Sequence, residues 1–97
     1  SRSMNQLYQR IQQNLQCLPP KDVELCNQFL KNRQLENLSE IVESCLIMKK
    51  RDDYKDVHKD KWLNVDRGQL EQLTLDVREY TSYLDLSDIS NDLEEEF

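Results

Sequence analysis

From residue 66 onward, Leu70, Leu73, Val77, Tyr80 and Leu84 recur at alternating steps of three and four residues, the spacing that lines one face of an α-helix. The pattern predicts a helix over 66–84. Asp66 stands as its N-cap, Gln69 is placed to complete a capping box, and Val65 and Leu70 can close a hydrophobic staple. Toward the N-terminus the same periodicity recurs three times. Met4, Leu7, Tyr8, Ile11 and Leu15 predict a first helix over 4–17. Leu18-Pro19-Pro20 ends it, since a residue before proline is pushed out of the helical region, while Pro20 suits the first turn of the next helix. That second helix, about 20–31, carries Val23, Cys26, Phe29 and Leu30 with Leu25 flanking. A third begins near Gln34 and presents Leu35, Leu38, Ile41, Val42, Cys45, Leu46 and Met48 or Lys49, the longest apolar face and so the expected central core helix. Its Glu36, Glu40 and Glu43 lie early and Lys49, Lys50 and Arg51 late, an order that agrees with the helix dipole.

Ninety-seven residues, 37% hydrophobic and 33% charged, with one glycine and two prolines, suit a single domain of amphipathic helices and leave no room for a second core. The expected fold is all-α: a small antiparallel four-helix bundle-like domain over 4–84, followed by an acidic amphipathic tail over 85–97. Ser87 could cap a short fifth C-terminal helix there. Ser1-Arg2-Ser3 ahead of Met4 reads as an expression remnant and is set apart from the fold. No apolar run is long enough to span a bilayer or to serve as a signal peptide, so no membrane association and a cytoplasmic location are expected.

Candidate chemistry is sparse. Cys17, Cys26 and Cys45 are odd in number and widely spaced, which favours buried free thiols over a disulfide framework. A zinc site joining them to His58 would lack the short paired spacing of such sites, so no metal is expected. His58, the only histidine, has no neighbouring group to orient it as a general base. No glycine-rich phosphate loop or nucleophile motif is present, and the paired carboxylates Asp52-Asp53 and Glu94 to Glu96 lie in polar surroundings. Neither catalysis nor a cofactor is expected. The 49–61 segment, KKRDDYKDVHKDK, mixes six basic with four acidic side chains. Its cations, Tyr54 and His58 suggest nucleic-acid binding, but the interleaved aspartates and the overall pI of about 4.7 count against it.

Charge separates sharply along the chain. Residues 1–83 hold thirteen basic and thirteen acidic side chains, so the whole net charge of −6 falls in the last fourteen residues, LDLSDISNDLEEEF. Within them Leu86, Ile89, Leu93 and Phe97 recur at helical spacing beside Glu94, Glu95 and Glu96. Those seven residues are the candidate partner-binding set, an apolar stripe for a groove with carboxylates for basic residues around it. The expected function is a non-enzymatic helical protein-protein interaction module, with homodimerisation suggested by the heptad-like spacing in 66–84. Two other readings remain open: an acidic inhibitor occupying a basic site on a nucleic-acid-binding protein, and a helical nucleic-acid-binding domain using 49–61.

Overall fold

The computed structural model describes residues 3–50 and 66–96, and the side chains of residues 3–50 and 66–86. The described chain is all-α. Four helices follow in order: α1 (Met4–Asn14), α2 (Pro20–Lys31), α3 (Leu35–Lys50) and α4 (Arg67–Glu96), with a 3₁₀ turn over Leu15–Cys17 between α1 and α2. The predicted helix over 4–17 therefore tightens in its last turn. Leu18 and Pro19, each ahead of a proline, are extended with ψ of 162° and 141°. Pro20 opens α2 as expected.

Two helix starts differ from expectation. Ser3, set apart above, is the N-cap of α1: its hydroxyl accepts from the Gln6 amide at 3.2 Å, and the Gln6 side chain accepts from the Ser3 amide at 3.0 Å. Asp66 does cap α4, but its carboxylate accepts from the Gly68 amide at 3.0 Å rather than from Gln69. The Val65 staple, His58 and all of 51–65 lie outside the described residues.

The reversal between α2 and α3 is made without glycine. Arg33 takes φ of 57°, the Gln34 amide donates to the Phe29 carbonyl at 2.8 Å and the Arg33 amide to the Leu30 carbonyl at 3.2 Å. This is a Schellman closure of α2, with Arg33 at the left-handed position usually held by glycine.

Neighbouring helices run antiparallel. Tyr8 meets Tyr80 edge to face while Arg10 meets Asp76, so α1 and α4 run oppositely. Glu43 pairs with Arg78, and residues 33–39 share a groove with residues 81–85, so α3 and α4 do as well. α2 lies back along α3, bringing Asp22 and Cys26 close enough to act on the Cys45 thiol. α4 packs against α1, the 3₁₀ turn and α3, whereas α3 packs against α2 and α4. The most widely contacted helix is thus α4, not α3 as the length of α3's apolar face suggested. Leu7, Ile11, Leu15, Cys26, Leu30, Leu38, Val42, Leu70, Leu73 and Val77 form the buried core. Each full burial of such an aliphatic side chain contributes about 1.5–3 kcal/mol.

The expected separate fifth helix is not formed. α4 continues without a break from Arg67 to Glu96, and Ser87 lies inside it.

Candidate interaction surface

α4 carries the two most exposed large apolar side chains among the described residues, Leu86 and Leu75, and its register explains why. Leu70, Leu73, Val77 and Tyr80 are buried and Leu84 is partly buried, so the predicted stripe is the inward face. Thr74, also buried, returns its hydroxyl to the Leu70 carbonyl at 2.9 Å, and Thr81 does the same to Val77 at 2.8 Å. These bonds satisfy hydroxyls that would otherwise face the core unpaired.

Beyond Leu84 the apolar positions change sides. Extending the inward stripe at helical spacing leads to Ser87, Asp88, Asn91 and Glu95, which are all polar. The next leucine comes after two residues, a rotation of about 200° on a helix. Leu86 is 63% exposed, and Leu75, three turns earlier on the same side, is 55% exposed. At 100° per residue the two lie within about 20° of each other and about 170° from the inward stripe. Positions 89 and 93 fall on the same outward side by register.

Length sets this end of α4 apart. Thirty residues make a helix of about 45 Å, against about 24 Å for the sixteen of α3. Leu35 at the start of α3 lies level with Leu84 and Asp85, so 86–96 run on for about 16 Å past the end of their antiparallel neighbour. The long axis of the molecule, 57 Å against 23 and 20 Å, reflects that extension.

Of the seven residues expected to bind a partner, Leu86 is exposed. Ile89, Leu93, Glu94, Glu95 and Glu96 are placed on α4 by its backbone, and Phe97 lies outside the described residues. The candidate set from sequence did not include Leu75, which lies off the inward stripe. Its angular offset from Leu73 and Val77 was the available signal.

Other chemical groups sit within the bundle. The Asp76 carboxylate is buried between α1 and α4, where Arg10 Nε lies 2.8 Å from Oδ2 and Gln72 Nε2 donates to Oδ1 at 3.0 Å. The three cysteines are free. Burial pushes the Cys26 and Cys45 thiols up to about 12, with Asp22 adding to the effect, and burial also raises Cys17. At neutral pH such thiols stay protonated and are poor nucleophiles. Among the described residues no group of three or more His, Cys, Asp or Glu side chains is disposed to hold a metal ion. A surface hollow of about 720 Å³ is an open groove beside the α2–α3 turn, lined in part by Arg33, Glu36, Asn37, Thr81 and Asp85. Among the described residues no histidine or cysteine lines it. Of the 49–61 segment, Lys49 and Lys50 form the last turn of α3 and the rest lies outside the described residues. No described helix is long and apolar enough to cross a membrane.

The chain matches no family model, and no curated protein or solved structure is significantly similar to it.

Proposed function

We propose that this chain is a non-enzymatic helical interaction module that recognises a partner protein through the part of α4 that outlasts the bundle. One observation carries this: along a single unbroken helix the apolar stripe crosses from the inward to the outward side at Leu84–Leu86, leaving Leu86 63% exposed. An exposed apolar side chain on the side of a helix turned away from its own bundle, as Leu86 and Leu75 are, leaves surface that a partner can cover. A helix presenting such anchors over several turns suits the helix-in-groove mode of recognition, in which a partner supplies the missing apolar wall. The bundle beneath acts as a scaffold. Leu70, Leu73, Val77 and Tyr80 fix the rotation of α4 about its axis, and hence the direction in which Leu86 points.

Affinity capture from cell extract tests the proposal. The baits are the full chain, the full chain carrying Leu86→Ser and Leu93→Ser, and a chain ending at Asp85. Circular dichroism verifies that each bait is folded. A protein retained by the full chain, lost from both variants and displaced by a free peptide of residues 70–97 is the expected result. Identical sets of bound proteins on all three baits would refute the proposal.

A further inference from the structure

The outward face of α4 is longer than the tail, and its charge says what would cover it. We infer that the face running from Leu75 through Leu86 to positions 89 and 93 docks into an apolar groove rimmed by lysine and arginine on a different protein. This rests on the interaction-module reading above and adds the extent of the face and the chemistry of its occupant.

The extent follows from register and exposure. Leu75 and Leu86 are the two large exposed apolar side chains described on α4, and they share one side of it. From 75 to 93 that side spans about 27 Å, or five turns, a length common for a helix laid in a groove. Leu25 on α2 and Ile47 on α3 are also exposed, at 45% and 52%, but each stands on another helix and single exposed leucines are ordinary.

The occupant follows from charge. All six carboxylates in excess over the cations lie between Asp85 and Glu96. By register, positions 85, 92 and 96 fall about 80° to one side of the apolar line and position 94 about 100° to the other, where the rims of a groove would stand. A basic rim on both sides would meet these four positions, while positions 88 and 95 continue the inward side.

A second copy of this chain is the poorer occupant. Parallel pairing of two α4 ends would set six carboxylates against six. Antiparallel pairing would offer them the first half of α4, whose cations are Arg67 and Arg78. Both are already engaged, Arg67 with Glu71 at 3.1 Å and Arg78 with Glu43 at 2.9 Å. Like charges brought together without counterions oppose association.

Fluorescence anisotropy with three labelled synthetic helices tests the inference on the full chain. Each peptide is a 21-residue amphipathic helix with leucine at the a and d heptad positions, and the e and g positions are all lysine, all glutamine or all glutamate. The lysine peptide should bind at least about tenfold more tightly than the glutamine peptide at about 50 mM salt, with the advantage shrinking at about 500 mM. The glutamate peptide should not bind. Leu86→Ala with Leu93→Ala should weaken the lysine peptide about tenfold or more. Leu75→Ala alone should weaken it about threefold, although it lies outside the acidic stretch and alters no charge. Equal binding of lysine and glutamine peptides overturns the basic occupant and leaves the interaction module standing. Undiminished binding by the leucine variants shows mere charge attraction and overturns the inference. Failure of all three peptides to bind overturns it too, as does sedimentation showing a dimer that the leucine variants dissolve.

Discussion

Asp76 is the polar group that the apolar pattern conceals. It sits between Leu73 and Val77 on α4, fully buried, facing Arg10 of α1. A carboxylate taken out of water is costly unless charge and hydrogen bonds replace its hydration. Here a guanidinium and the Gln72 amide do so. The arrangement ties the register of α1 to that of α4, since a slip of one turn would separate Arg10 from the carboxylate. Arg10→Ala should lower unfolding stability in urea by about 1–3 kcal/mol, because it strips a counter-charge from a buried anion. Replacing both members, Arg10→Met with Asp76→Leu, should recover most of that loss. If the double variant is no more stable than Arg10→Ala, the cost lies in packing rather than charge. The pair could not be read from the sequence. Gln72 and Asp76 are visibly one turn apart, but Arg10 is 66 positions away and only the folding of α1 onto α4 brings it near.

At the scale of the element, boundaries show where local signals win and where they lose. The end of α2 was legible from its basic residues, yet the closure at Arg33 was not, because a left-handed position without glycine has no signature in composition. Arg33 there carries a steric cost that glycine lacks, so Arg33→Gly should raise stability by about 0.5–1 kcal/mol, measured as a shift in urea midpoint at unchanged slope. A loss of stability would mean that the arginine side chain contributes more than its backbone costs. The four apolar faces were legible almost residue for residue, since periodicity reports directly on what must be covered. The C-terminal boundary was not. Ser87-Asp88 has the composition of a helix start, but a cap is worth about 1 kcal/mol, and breaking a helix that has already formed discards bonds to be rebuilt at a new nucleus. No glycine or proline follows Gly68 to enforce that break. The continuous helix therefore prevails, and with it the reversal of the apolar stripe. That reversal was present in the two-residue step from Leu84 to Leu86, but it acquires meaning only once both leucines are known to share one helix.

For the whole molecule, the three thiols report on how three separate elements close around one interior. Cys17 comes from the 3₁₀ turn, Cys26 from α2 and Cys45 from α3, and Cys17 and Cys26 both act on Cys45 across the packed interior. Burial holds Cys26 and Cys45 at about 12 in the folded chain, against 9.0 for an ordinary thiol. The unfolded chain gives up these protons first, so the folded state binds more protons between the two values and stability falls as pH rises through that window. Below pH 9 the contribution is fully present. Each thiol can take away up to about 1.4 kcal/mol per pH unit above that point. The informative quantity is a difference between two chains that share every other ionisable group. The chain carrying Cys26→Ala and Cys45→Ala should be less stable at pH 7, because two buried sulfurs are lost, but its stability should decline less steeply from pH 9 to 11 in urea denaturation. Equal slopes for the two chains would show that the sulfurs reach solvent and that α2 does not close over α3 as tightly as the buried positions require. Such loosening would also free the base on which α4 is oriented, coupling the packing of the least polar part of the molecule to the direction of its most acidic end.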